Sequence, residues 1–249
     1  MKYKALIFDL DGTAIDTKAD AIPSQNTINT VKLAQKYVLV SVATGRLHYN
    51  SKYILDAFGI TSPCIFAGGS MIKNPITNEI LWSKQMSEAQ VKQILEVCKL
   101  LPYKMYFSED KTLYDPNEKL IQPEMIAYLQ DIGKDKTEKI VMELRKIPDL
   151  AVHSTGSWKS GCWDIHITHK DASKKQALSR LLDYLKVKKE NVMVVGDTGN
   201  DLPLFEAAGL KVAMGNATKE LKEEADYVTL NVEQDGLALA IEKYILSIK

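Results

Sequence analysis

Four aspartates, a threonine and a lysine are spaced along this 249-residue chain so that they could share one charged site. Asp9 and Asp11 lie in FDLDGT at residues 8–13, at the end of an apolar run. Asp197 and Asp201, with Asn200 beside them, lie in GDTGND at 196–201, after a second apolar run. Thr44, Gly45 and Arg46 follow a third, and Lys174 opens a helical stretch. Asp9, Asp197 and Asp201, if gathered, form a cluster of negative charge that needs a cation. Their oxygen-only donor set suits a hard ion, Mg²⁺. Each segment alone has a plainer reading. Asp-x-Asp-Gly-Thr is a common turn, Thr44-Gly45 could merely end a strand, Lys174 could be a solvated lysine, and GDTGND could be a turn with a helix cap at Asn200.

The elements that must position these groups alternate. Tyr3–Leu10, Tyr37–Ala43 and Pro63–Ala67 read as short buried strands. Helices are expected from Ser24 to about Lys36 and from Leu47 to Phe58. The same rhythm returns late in the chain, with helices at Ser173–Leu185, Asn200–Ala208, Thr218–Ala225 and Asp235–Ser247. Strands fall at Asn191–Gly196, Lys211–Met214 and Tyr227–Leu230. Strand–helix alternation implies parallel βαβ units, and ligands of such sheets lie outside the carboxyl ends of the strands. The candidate residues are at those ends.

Between the two stretches the pattern changes. Met71–Trp82 reads as a hairpin, and Ser87 with Gln90 has the form of a capping box for a helix through Leu101. Lys104–Ser108, Ala151–Ser157 and Gly161–His169 read as strands, with helices near Glu124–Asp131 and Lys136–Ile147. The expected fold class is therefore α/β: a doubly wound, Rossmann-like parallel core at residues 1–82 and 166–249, interrupted by an inserted α+β domain at 83–165.

Composition narrows the partners. Thirty-two Lys and Arg balance 32 Asp and Glu, which gives no general nucleic-acid-binding character. Asp9 and Asp11 break the first apolar run, so it is no secretory signal, and no uninterrupted apolar stretch reaches the roughly 18 residues of a spanning helix. Cys64, Cys98 and Cys162 lack metal spacing and read as reduced thiols of a cytoplasmic protein. His48, His153, His166 and His169 show no comparable ligand spacing, and Trp82 and Trp163 read as packing residues.

Taken in order, FDLDGT, ATGR at 43–46, Lys174 and GDTGND resemble the four motifs of the haloacid dehalogenase-like superfamily. VAMGNA at 212–217 and DYVTLNVEQDG at 226–236 resemble its Cof-like sugar-phosphatase branch, whose type IIB cap is inserted where residues 83–165 lie. The chain departs from that branch at Gly68-Gly69, where Asn-Gly is usual, and at Lys174-Lys175, where Lys-Gly is frequent. The resemblance implies a Mg²⁺-dependent phosphatase acting on a small phosphorylated metabolite, with a sugar phosphate the expected substrate. Asp9 would be the nucleophile that becomes an aspartyl-phosphate, and Asp11 the general acid and base. Asp9, the Asp11 carbonyl, Asp197 and Asp201 would hold the metal. Thr44, Gly45, Arg46, Lys174 and Asn200 would hold the substrate and its phosphoryl group. Arg46 could equally serve in a structural ion pair.

Within the cap, the turn at Trp158-Lys159-Ser160 is expected to read the leaving group, Trp158 by stacking and Lys159 by hydrogen bonding. The enzyme would act as a monomer or small homo-oligomer, with neither nucleic acid nor membrane as partner. A phosphomutase on the same fold uses the same two aspartates and stays open at this point. A receiver-like phospho-switch also places an Asp at a strand end near Thr and Lys, but such domains are about half this length and carry no insert.

Overall fold

The structure, a computed structural model, describes residues 2–18, 20–108, 115, 117, 121–157 and 159–247. It begins with β1 (Ala5–Phe8), buried at every position. Ser24 caps α1 (Gln25–Ala34), its hydroxyl accepting from the Thr27 N–H at 3.0 Å. Next come β2 (Leu39–Val42), α2 (His48–Phe58), β3 (Cys64–Phe66), β4 (Met71–Lys73) and β5 (Ile80–Ser83). Then follow α3 (Glu88–Cys98), β6 (Met105–Ser108), β7 (Ile126–Gly133), α4 (Lys134–Leu144), β8 (Leu150–Gly156) and β9 (Cys162–His169). The chain closes with α5 (Lys174–Leu185), β10 (Val192–Gly196), α6 (Leu202–Phe205), β11 (Leu210–Ala213), α7 (Lys219–Glu223), β12 (Tyr227–Val228) and α8 (Gly236–Ile241).

These elements form two compact units, Met1–Leu81 with Lys174–Lys249, and Trp82–Ser173. The first is built on a five-stranded parallel sheet in the order β12-β11-β10-β1-β2. β1 lies between β10 and β2, with Phe8 opposite both Val195 and Val42. Strands buried on both faces tolerate no polar alternation, which is why ALIF and VMVVG are continuous apolar runs. From β1 the chain moves one way to β2, and from β10 the other way to β11 and β12. The switch point of the sheet is therefore between β1 and β10, where such sheets open a crevice at their carboxyl ends. β3 touches this sheet through one parallel bridge, Ala43 with Ile65, and otherwise pairs antiparallel with β4.

The second unit is a four-stranded antiparallel sheet in the order β6-β7-β9-β8. Phe107, Ala127, Leu129, Val152, Ile165 and Ile167 pack in one core with Val91 and Ile94 of α3 and Ile140, Val141 and Leu144 of α4. The α/β class with a parallel core is thus what the chain adopts. Three local expectations are corrected. Residues 124–131, expected as a helix, lie largely in β7, because this apolar run pairs with β6 on one side and β9 on the other. The boundary expected at 165/166 would cut β9, which runs on to His169 opposite Leu150, and the units divide after Ser173. The closing helix changes to π geometry at Glu242–Leu246.

Candidate active site

β1 ends at Phe8 and β10 at Gly196, so Asp9 and Asp197 leave neighbouring parallel strands at the same end of the sheet. Both are buried, at 6% exposure each, and Asp201 and Lys174 are more so, at 0% and 1%. Gly12 makes the approach possible. Its φ is +78°, and a Cβ there would lie 2.1 Å from Asp197 Oδ2. Gly196 plays the same part for Asp201, since a Cβ would fall 2.6 Å from that side chain's own Cβ. Asp201 is then held by its surroundings. Its Oδ2 accepts from the Asp197 and Thr198 N–H groups at 3.0 and 3.2 Å, and its Oδ1 accepts from Lys174 Nζ at 2.7 Å.

Lys174, the first residue of α5, also stands 3.3 Å from Asp9 Oδ1. Among the described residues that oxygen accepts no hydrogen bond. Burial is the main force pushing the Asp9 carboxyl up to about 7; Lys174 opposes it, and Asp201 and Asp11 add to it. Asp197 is pushed up to about 9, first by burial, then by Asp201 and Asp9. Burial disfavours the Lys174 ammonium, but Asp201 and Asp9 outweigh it and hold the group above the ordinary lysine range. One oxygen from each of Asp9, Asp197 and Asp201 lies within 4.8 Å of the other two. Three buried carboxylates against one ammonium, which meets an Asp9 oxygen only at 3.3 Å, are a donor set that fits a hard divalent cation.

Thr44 is fully buried at the end of β2, its hydroxyl accepting from the Arg46 N–H at 3.1 Å, and half-buried Gly45 lies beside it. Arg46 takes the ion-pair alternative. Its Nε and Nη2 donate to the two Asp11 oxygens at 2.8 and 2.6 Å, and it also reaches the Lys18 and Asn50 carbonyls and the Tyr53 hydroxyl. Asn200 is half-buried in the 3₁₀ turn Gly199–Asp201. In the inserted unit Lys159 is exposed, with its N–H on Ser157 Oγ. Trp158 lies outside the described residues.

Two contributors carry no expectation from the sequence. Thr13 Oγ1 donates to Asp197 Oδ1 at 3.1 Å, and Asn216 Nδ2 donates to the Gly12 carbonyl at 2.8 Å. Both stand in stretches already singled out, DGT and GNA, but nothing in a single sequence says which atom a turn residue will face.

A family model described as haloacid dehalogenase-like hydrolase matches residues 6–146 and 103–241. The chain is 28% identical to the 5-amino-6-(5-phospho-D-ribitylamino)uracil phosphatase YcsE of Bacillus subtilis, covering 98% of this chain and 96% of that one. It is 27% identical to a phosphoglycolate phosphatase of Methanothermobacter thermautotrophicus, over 97% of this chain and 99% of that one. Its fold is similar to that of the HAD subclass IIB sugar phosphatase BT4131, with a TM-score of 0.81 at 22% identity, covering 97% and 98% of the two chains. The chain belongs to the haloacid dehalogenase-like hydrolases, and within that family it is a phosphatase.

Proposed function

We propose that this protein is a Mg²⁺-dependent phosphatase that hydrolyses a small phosphorylated metabolite, a sugar phosphate, through an aspartyl-phosphate on Asp9. The observation that carries the reading is Asp9 itself. It is a buried carboxylate at the switch point of the sheet, with an oxygen that accepts no hydrogen bond among the described residues and stands 3.3 Å from Lys174. Asp9, Asp197, Asp201 and the Asp11 carbonyl would hold Mg²⁺, which when bound neutralises charge on the phosphoryl oxygens and on the carboxylates.

The chain's own residues do the rest. Asp9 attacks phosphorus in line, forming the Asp9–phosphorus bond as the bond to the leaving oxygen breaks. Asp11 releases Arg46, takes up a proton from solvent and delivers it to that oxygen. A water then attacks the phosphorus of the aspartyl-phosphate, Asp11 takes its proton, and inorganic phosphate and free Asp9 remain. Lys174 and Thr44, with the backbone of Gly45, hold the phosphoryl oxygens, with Asn200 at the rim of the same site. Arg46 contributes by holding Asp11 between turnovers.

A polyhydroxylated leaving group is supported by the ribityl chain in the name of one relative and by the sugar phosphatase among the structures of like fold. Residues 82–173 would act as the cap that tests that group, with Trp158 and Lys159 at its turn. Three free cysteines favour a reducing, cytoplasmic setting, where the enzyme works as a monomer or small homo-oligomer. Among the described residues no helix is long and apolar enough to cross a membrane. A screen for phosphate release over many phosphorylated metabolites, with and without Mg²⁺, tests the reading. Mg²⁺-dependent release, fastest from sugar phosphates, is expected. Equal release after EDTA would overturn the metal assignment, and no release from any ester would overturn the whole.

A further inference from the structure

Asn216 lies between β11 and α7, on the first unit, and its side chain joins two backbone segments. Its Nδ2 donates to the Gly12 carbonyl at 2.8 Å, and its Oδ1 accepts from the Val232 N–H at 2.9 Å. The reverse amide orientation would set two acceptors against each other at Gly12 and two donors at Val232, so only one orientation satisfies both ends. The turn that carries Asn216 is itself fixed. Gly215 donates to the Leu230 carbonyl at 2.9 Å, and a Cβ at Gly215 would lie 2.4 Å from Asn231 Oδ1. The segment at its far end is anchored too. Asp235 accepts from Ser24 Oγ, Asn26 Nδ2 and Thr27 Oγ1 at 2.5, 3.1 and 3.1 Å, tying the 231–235 stretch to the start of α1.

Gly12 is the peptide at which the turn bearing Asp9 and Asp11 reverses direction, with φ +78° and its N–H on the Ile15 carbonyl at 2.8 Å. Its carbonyl has the Asn216 amide as its brace. We propose that Asn216 is a positioning residue for the reaction: it holds the Gly12 peptide against the anchored 231–235 segment and so sets where the nucleophile turn places Asp9 and Asp11. This rests on the reading of Asp9 as nucleophile. Asn216 is exposed, so water can replace its hydrogen bonds and global stability depends little on them. The placement of a reacting atom is far less forgiving. A positioning role therefore separates from a merely structural one by lowering kcat with little change in melting temperature.

The test uses the full chain, p-nitrophenyl phosphate and Mg²⁺. Asn216→Leu keeps the branched shape and removes both hydrogen bonds. Val232→Pro removes only the outer one, at the first position of the 3₁₀ turn Val232–Gln234, where proline is tolerated. Expected are a fall in kcat of about tenfold for Asn216→Leu and about threefold for Val232→Pro, with KM within about twofold. Melting temperatures should stay near wild type in both. Wild-type kcat in a folded Asn216→Leu variant overturns the proposal, as does a loss of kcat matched by a collapse in melting temperature in both variants. A wild-type protein that hydrolyses no phosphoester overturns the phosphatase reading instead, and this proposal with it.

Discussion

Burial pushes the Asp9 and Asp197 carboxyls up to about 7 and about 9, from a carboxylate value near 3.8. A folded protein without metal therefore binds protons at these positions more tightly than its unfolded chain does. The stability these groups contribute is complete below about pH 4 and is lost as pH rises through about 7 and then 9. A divalent cation bound among Asp9, Asp197 and Asp201 would replace the protons and remove that loss. Thermal unfolding after EDTA should thus show a melting temperature that falls between pH 5 and pH 9, and added Mg²⁺ should raise it most at the alkaline end. A Mg²⁺ effect that is absent, or largest at pH 5, would contradict the assignment of the cluster. Gly12 gives a second residue-level prediction. In Gly12→Ala the new methyl group meets Asp197 Oδ2 at 2.1 Å on a strained backbone, so the turn or the Asp197 side chain must move. A displacement of this size costs on the order of a hundredfold in rate. A kcat near wild type in Gly12→Ala would show that the turn does not constrain the reaction.

At the scale of elements, the strands that carry the site were the most legible part of the chain. ALIF and VMVVG are unbroken apolar runs ending in Asp, a pattern that leaves little choice but a strand buried on both faces. The Ser87 and Gln90 capping box could be read equally directly, and the structure contains both of its hydrogen bonds at the start of α3. Its contribution is measurable: Ser87→Ala should lower the stability of the inserted unit by about 1 kcal/mol in denaturant unfolding, whereas an unchanged midpoint would show that the helix does not need its cap. The failure at residues 124–131 has a physical cause. MIAYL is apolar at every position, a pattern shared by a buried helix and a central strand, and only the pairing with β6 and β9 decides between them. The same long-range pairing carries β9 past residue 165. Within the site, the residue types at the strand ends were readable. The bidentate grip of Arg46 on Asp11 and the contacts of Thr13 and Asn216 were not, since each joins segments far apart in sequence.

For the whole molecule, two units divide the work in the proposed function. The charged residues described here as a site all belong to the first unit, and they can recognise a phosphoryl group without regard to what it is attached to. Selection among substrates would then fall to residues 82–173. Lys159 is exposed near the turn between β8 and β9. Replacing it with Ala should change the ranking of kcat/KM among sugar phosphates while leaving p-nitrophenyl phosphate unaffected; a uniform effect on all substrates would remove Lys159 from substrate selection. The two-unit architecture also separates this chain from a small receiver-like switch, and its family membership agrees. The central claim is the covalent intermediate on Asp9, and its most direct test is chemical trapping. Asp11→Asn, supplied with p-nitrophenyl phosphate and Mg²⁺, has a leaving group that needs no proton but would lack the proposed base for water, so the aspartyl-phosphate should accumulate. Acid quenching and borohydride reduction convert an aspartyl-phosphate to homoserine, which peptide mass spectrometry locates. Homoserine at residue 9, dependent on substrate and Mg²⁺, is the predicted result; aspartate left unchanged at residue 9 while p-nitrophenol is still released, or the modification at another residue, would contradict it.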